Sequence, residues 1–425
     1  MPYLLNLVYL VLLVVVSPVL ISRAIWQGKY RRGLATRLLG RLPRRTGTQP
    51  CCWLHAVSVG EVNLLEPLLA ELEQQHPDWQ FVISSTTRTG FELAVKKYAP
   101  RQVFYSPLDF SWAVRAVLKR VRPDLILLVE LELWPNLIQL AARQGIPLGV
   151  VNGRLSESSA RGYGRLRPVV AGMLKRLSLI AVQNETYANR FLKLGACPQQ
   201  VQVTGSMKFD GAISDRNNEQ TRQLAELAGI QPADAVLLAG STQVEEEQLA
   251  LEAFLQLKDR HPQLRLILVP RHPERFAEVS AMLDRSGLQW QRRSELSQLE
   301  GEADCRVLLV DAVGELQAWW GTAQIALVGG SFGSRGGQNM IEPAAYGAAV
   351  SFGPNTRNFR DVVQLMLDAE AARVIHDQQE FTSWVEQCLV DPQQAAAMGQ
   401  RACQLVAEQQ GATARTVELI EQILN

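Results

Sequence analysis

Apolar residues fall into short runs separated by longer amphipathic stretches, and this alternation occurs twice along the 425 residues. The runs of the first half are 51–57, 81–85, 125–129, 148–151 and 179–182; those of the second are 235–239, 265–269, 306–310, 325–328 and 348–352. Between them, stretches such as 66–75 and 245–260 repeat their apolar positions with a helical period. Short buried strands alternating with amphipathic helices predict βα units with parallel strands. Residues 210–220 are polar, lack apolar periodicity and read as a linker. The pattern thus predicts two doubly wound, Rossmann-like α/β domains, 51–209 and 221–425, facing each other across a cleft, with ligands at the carboxyl ends of the strands. The tail from residue 393 is helical by composition and interrupted at Gly411. It either packs on its own domain or crosses back to the first.

The N-terminus is different in kind. No residue from 1 to 22 is charged, and 4–21 is almost wholly apolar. Eighteen helical residues rise about 27 Å, close to the hydrocarbon thickness of a bilayer. Residues 1–22 are therefore expected to form a membrane anchor, spanning or only embedded, since Asn6, Ser17 and Pro18 weaken the span. A cleaved signal peptide fits less well, because no basic residue precedes the apolar stretch and no small-x-small site follows it. The juxtamembrane segment 23–50 carries Arg23, Lys29, Arg31, Arg32, Arg37, Arg41, Arg44 and Arg45 with no acidic residue; the first carboxylate of the chain is Glu61. Basic residues after the apolar stretch place the bulk of the chain on the cytoplasmic face of the membrane.

The formal net charge of +1 hides this asymmetry, since everything beyond residue 60 is net acidic. A general nucleic-acid binder, which needs its basic surface on the folded domains, is disfavoured. With 47% apolar residues the chain can fill two cores. The six cysteines form no CxxC pair and read as buried thiols.

Several segments carrying chemistry follow the strand runs. His55-Ala-Val-Ser58-Val-Gly-Glu61 sets a carboxylate beside a glycine just past the first strand. Glu130-Leu-Glu132 precedes Trp134-Pro135-Asn136, and two carboxylates at i and i+2 share a face if the strand continues. The hydroxyl-rich loop 84–90, with Arg88, can receive a polyhydroxylated or phosphorylated group; Asn152, Arg154, Ser156 and Lys208 add polar groups at later strand ends. In the second half, Gly329-Gly330-Ser331-Phe-Gly-Ser-Arg-Gly-Gly-Gln338-Asn339-Met-Ile-Glu342 is a glycine-rich loop before a helix, suited to bringing backbone N–H groups to a phosphate. The same stretch also reads as a plain glycine turn with a capping Asn and a first-turn Glu. Arg271, His272 and Arg275 put cations at another strand end, as an anion clamp or a basic helix cap, and Gly240-Ser-Thr242 adds small donors on that rim. The five histidines lie far apart and no DxD occurs, so no metal is expected.

Taken together, 55–61, 130–136, 152–156, 205–210, 269–276 and 329–344 resemble the Kdo transferases, which add 3-deoxy-D-manno-oct-2-ulosonic acid (Kdo) to lipid A precursors. The resemblance implies a GT-B glycosyltransferase fold, CMP-Kdo as donor substrate with no further cofactor, a lipid A precursor at the membrane surface as acceptor, and inverting, metal-independent transfer. It implies Glu61 as general base, with Glu130 and Lys208 beside it. Ser58, Arg88, Glu132, Asn152 and Arg154 fall on the acceptor side. The family's cytidine monophosphate contacts carry over to Arg271 and His272, to Gly314-Glu315-Leu316, and to Asn339 and Glu342, with Gly329, Gly330 and Ser331 in the loop. The chain departs from the family pattern at Ala56, where serine is usual, and at Gln338, where histidine is common, so a titrating role at 338 is lost. Two alternatives share parts of this pattern: another GT-B sugar-nucleotide enzyme, transferase or epimerase, and a membrane-tethered nucleotide-binding regulator without turnover.

Overall fold

The computed structural model describes residues 2–26, 33–298 and 305–424. The chain forms two compact units, 1–210 with 410–425, and 211–409. Each is built on a seven-stranded, wholly parallel sheet. In the first unit the strands are β1 (Cys51–His55), β2 (Gln80–Ser85), β3 (Val103–Tyr105), β4 (Leu125–Val129), β5 (Leu148–Gly153), β6 (Leu179–Val182) and β7 (Val201–Val203), in the order β3-β2-β1-β4-β5-β6-β7. In the second they are β8 (Ala235–Thr242), β9 (Leu264–Pro270), β10 (Gln291–Arg292), β11 (Val307–Leu309), β12 (Ile325–Val328), β13 (Ala349–Phe352) and β14 (Ala372–Val374), in the order β10-β11-β9-β8-β12-β13-β14. The strand order reverses between β1 and β4 in one sheet and between β8 and β12 in the other. Side chains at the carboxyl ends of those strands therefore flank the crevice that a doubly wound sheet opens for ligands.

Central strands are buried on both faces, as β4 is throughout Leu125–Val129, because helices cover both sides of a parallel sheet. One core of the first unit joins Leu54, Leu65, Leu68 and Ile83 to Ala412, Val417 and Ile420. Those last residues belong to the Ala412–Leu424 helix, so the tail divides: 393–409 stays with the second unit and 410–425 packs on the first. Asp210 fixes it there: its carboxylate accepts from Gly411 N at 2.7 Å and from Thr413 N and Oγ1 at 2.5 Å each. Residues 211–218 are tied to the second unit, where Arg216 donates to the carbonyls of Tyr346 (2.6 Å), Gly321 (3.1 Å) and Ala323 (2.7 Å).

The N-terminal segment requires a correction. Among the described residues no helix is long and apolar enough to cross a membrane, so a spanning anchor over 4–21 is not supported. The Pro2–Trp26 helix instead turns one stripe, Leu5, Asn6, Tyr9, Leu13 and Ser17, away from solvent. Asn6 is buried and exchanges hydrogen bonds with Ser111, Nδ2 to Oγ at 2.7 Å and Ser111 N to Oδ1 at 3.0 Å. Tyr9 Oη donates to Asp109 Oδ2 at 3.0 Å. Asp109 also accepts from Asn136 N (2.8 Å) and Leu137 N (2.9 Å), capping the Pro135–Arg143 helix. Burial, partly offset by those two amides, raises the Asp109 carboxyl to about 6. The asparagine that weakens a lipid span is thus the residue that docks the helix. Its other side, with Leu7, Val11, Val14 and Val15, stays exposed.

Candidate active site

The first unit gathers its candidates at the β1–β4 crevice. Ser58 caps the Val59–Gln75 helix, its Oγ accepting from Glu61 N at 3.3 Å. Glu61 accepts from Val57 N at 2.8 Å and from Ser58 Oγ at 2.9 Å. Its carboxyl is raised above the ordinary glutamate range, chiefly by burial and then by the nearby charges of Glu130 and Glu132; the Val57 and Ser58 hydrogen bonds oppose the shift.

Glu130 sits at the end of β4 with φ of 61°, a left-handed conformation rare for a residue with a side chain. Lys208 Nζ stands 4.0 Å from its Oε1. Glu132 accepts from Trp134 Nε1 at 2.9 Å and faces the buried His55 Nε2 at 3.8 Å. His55 Nδ1 lies 2.8 Å from Ser84 Oγ, which already accepts from Trp53 Nε1 at 2.8 Å. Four segments far apart in sequence thus converge around three carboxylates and one lysine.

Other expected residues serve the scaffold. Asn152 is fully buried, with φ of 53°, and its Oδ1 holds Met207 N at 3.0 Å, which sets the start of the Lys208 segment. Arg154 is half-buried, with Nε 3.4 Å from Tyr187 Oη. Two hydroxyls of loop 84–90 turn inward: Ser85 and Thr87 both donate to Val57 O, at 3.1 and 2.7 Å. These two shape the Glu61 turn, while Arg88 and Thr89 of the same loop stay exposed. Arg88 pairs with Glu92 at 2.8 Å.

Part of the basic segment is structural. Arg45 is buried and donates to Val121 O (2.7 Å), Gln49 O (2.8 Å), Gln80 Oε1 (2.7 Å) and Arg122 O (3.2 Å). Arg37 donates to Thr86 O at 2.7 Å and stacks over Tyr105. Arg44 and Arg45 line a hollow with Arg115, Lys119, Arg120 and Asp124, at the amino ends of the strands and away from Glu61. The side chains of Arg23, Lys29, Arg31 and Arg32 lie outside the described residues.

In the second unit, Arg271 is exposed and His272 half-buried just past β9, and His272 Nε2 is buried without a hydrogen-bond partner. Glu342 accepts from Asn339 Nδ2 at 2.9 Å. Burial raises its carboxyl, while Asn339 and the charge of Arg271 pull it down. The buried indole N–H of Trp320 faces this group without completing a hydrogen bond. Trp320 and Leu316 pack so closely over Gly240 that a Cβ there would lie 2.4 Å from the indole ring. Gly314, with φ of 98°, opens the turn into the Leu316–Trp320 helix.

Three expected contacts are already taken by protein partners. Arg275 pairs with the buried Glu247, Nε to Oε1 at 3.0 Å, which reduces the cationic clamp to Arg271 and His272. Both carboxylate oxygens of Glu315 accept from Arg293, at 2.9 Å each. The amides of Gly330, Ser331 and Phe332 donate to the buried Glu246, so they are not free for a phosphate. Gln338 packs over Gly330, where an added Cβ would sit 3.1 Å from its side chain. Sequence reasoning passed over Glu246, Asp109 and Trp320. Only Glu246 left a trace, the Gln243…Glu246 spacing of a capping box. Among the described residues, no three His, Cys, Asp or Glu side chains stand together as a metal site.

The two parallel, doubly wound sheets make this a GT-B-like α/β protein. A UDP-GlcNAc 2-epimerase from Neisseria meningitidis, solved bound to UDP-GlcNAc, superposes over 88% of this chain and 100% of its own with a TM-score of 0.57, at 14% identity. The C-terminal CMP-Kdo binding domain of WaaA from Acinetobacter baumannii is 31% identical, covering 44% of this chain and 96% of that domain, with a TM-score of 0.41. Residues 32–211 match the sequence model of the 3-deoxy-D-manno-octulosonic-acid transferases. The enzymes of that name from Bordetella pertussis and Haemophilus influenzae are 36% and 32% identical, covering 87% and 88% of this chain and 86% and 87% of their own lengths. The chain belongs to the 3-deoxy-D-manno-octulosonic acid transferase family, and it is a glycosyltransferase.

Proposed function

We propose that the protein transfers Kdo from CMP-Kdo to a lipid A precursor such as lipid IVA, with inversion and without a metal, in lipopolysaccharide synthesis. The single observation that carries the mechanism is Glu61, a half-buried carboxylate of raised pKa at the crevice of the first unit. Glu61 takes the proton of the acceptor hydroxyl. That oxygen forms the new glycosidic bond at the anomeric carbon of Kdo, while the carbon–phosphate oxygen bond breaks and its electron pair leaves with CMP. A single displacement from the face opposite the phosphate inverts the centre. Lys208 beside Glu130 balances the negative charge around Glu61.

Arg271 meets the phosphate, and Asn339 with Glu342 meets the ribose. A guanidinium can supply the electrostatic stabilisation that a metal provides elsewhere. Arg271→Ala is expected to weaken CMP binding by about 1.5–3 kcal/mol, the range for a hydrogen bond to a charged group. Calorimetry checks this, and an unchanged affinity would remove Arg271 from the site. The acceptor would be met at the cytoplasmic face of the inner membrane, where the exposed apolar side of the Pro2–Trp26 helix can embed in lipid.

The deciding experiment incubates the protein with CMP-Kdo and lipid IVA and follows the lipid by mass spectrometry. Addition of Kdo mass, undiminished by excess EDTA, is expected. No addition would refute the transfer reading; loss with EDTA and recovery with magnesium would refute metal independence.

A further inference from the structure

The glycine-rich loop after β12 looks, by sequence, like a cradle for a substrate phosphate. Its amides already hold an anion supplied by the chain. Glu246 lies in the first turn of the Val244–Leu257 helix, with no exposed surface. Its Oε1 accepts from Ser331 N at 2.8 Å and Phe332 N at 3.1 Å; its Oε2 accepts from Gly330 N at 2.9 Å and Gln243 N at 2.7 Å. Burying a carboxylate costs several kcal/mol unless hydrogen bonds replace its water, and four N–H donors do so here. Three of them come from the loop itself.

The surroundings show that the loop is built around this contact. Gly329 approaches β8 so closely that an added Cβ would lie 2.4 Å from Ser241 O, and Gly329 N donates to Gly240 O at 2.9 Å. Ser331 Oγ donates to Val328 O at 2.7 Å and accepts from Gly353 N at 2.8 Å. Further on, Gly337 N donates to Gly330 O at 2.7 Å, so the return of the loop, which leads to Asn339 and Glu342, is hung from the residue that Glu246 holds.

We propose that Glu246 is a positioning residue for the donor: its carboxylate takes the anion-binding amides of the glycine-rich loop and thereby sets the Gln338–Glu342 segment. The loop then orders the ribose-binding side chains and gives Gly330, Ser331 and Phe332 no part in holding phosphate. This rests on the reading that the second unit binds the nucleotide, and its test is separable from that reading.

The test uses the full chain and three variants, Glu246→Gln, Glu246→Ala and Ser331→Ala. CMP affinity is measured by calorimetry, and hydrogen exchange is followed at the peptide covering 329–339. Glu246→Ala is expected to weaken CMP binding by about tenfold or more and to speed exchange in that peptide. Sodium formate, a small carboxylate, should restore both, with sodium chloride at the same ionic strength as control. Glu246→Gln keeps one acceptor and should fall between wild type and alanine, without rescue by formate. If Glu246→Ala does not fold, the glutamine variant decides through the same two readouts. Ser331→Ala keeps all three loop amides and should bind CMP nearer to wild type than Glu246→Ala does. Wild-type affinity in both Glu246 variants overturns the proposal, as does weakened binding with unaltered exchange. A wild-type protein that does not bind CMP refutes the nucleotide reading instead, while exchange and formate rescue still judge the Glu246 contact.

Discussion

Glu61→Gln is expected to lower Kdo transfer about 10²–10⁴-fold, the usual contribution of a general base, while CMP binding stays as in wild type. The substitution keeps the size and shape of the side chain, and the Ser58 cap on Glu61 N does not depend on the carboxylate. The glutamine carbonyl oxygen can accept from Val57 N as Glu61 does, so the Val59–Gln75 helix keeps its start and only proton acceptance is lost. Retention of more than about a tenth of the wild-type rate, where general-base loss should cost at least a hundredfold, would refute the assignment. The pH profile supplies an independent check. The base acts unprotonated, so the rate falls as pH drops through its pKa, and a raised pKa places that acid limb above the ordinary glutamate range. Removing the neighbouring charge with Glu132→Gln should move the limb to lower pH, because Glu132 raises Glu61. A limb that stays put would mean that another group sets it.

Arg45→Met is expected to destabilise the first unit by about 3–5 kcal/mol, because several buried acceptors lose their donor at once. The methionine keeps the apolar stem but gives nothing to Val121 O, Gln49 O, Gln80 Oε1 or Arg122 O. Arg44→Met, at an exposed neighbour, should change stability by no more than about 0.5 kcal/mol. Urea unfolding of the two variants checks the contrast. Equal midpoints would show that Arg45 is no more structural than its neighbour. Two adjacent arginines in one basic segment thus differ in role, one holding the first unit together and the other facing solvent.

The central strands were legible because both of their faces are buried. The runs 125–129, 179–182 and 325–328 coincide with β4, β6 and β12 to the residue. The strands that the pattern missed are β3, β7, β10 and β14, and these are the four edges of the two sheets. An edge strand needs no continuous apolar run: Gln202 and Val203 of β7 are exposed, and β10 is the pair Gln291–Arg292. The chemistry divides in the same way. Segments at the β1 and β4 ends could be singled out because carboxylates after buried strands are conspicuous. What no spacing could show is which polar groups satisfy one another. Arg275 looked like a phosphate ligand until Glu247 was found beneath it, and the loop amides looked free until Glu246 was found among them. Both partners lie in the acidic first turn of one helix, where sequence alone reads them as dipole compensation.

The Ala412–Leu424 helix also bears on how the protein is made. During synthesis the ribosome completes the strands of the first unit by Val203, then emits the whole of the second unit before the residues that cover Leu65 and Leu68 emerge. Until then Asp210, two residues from Lys208, has no amides to receive, and an apolar seam beside the Val59–Gln75 helix stays open to water. A nascent chain can therefore finish its second unit while the first still awaits closure. Truncation or proteolysis within the tail would wound the half that lies some two hundred residues upstream.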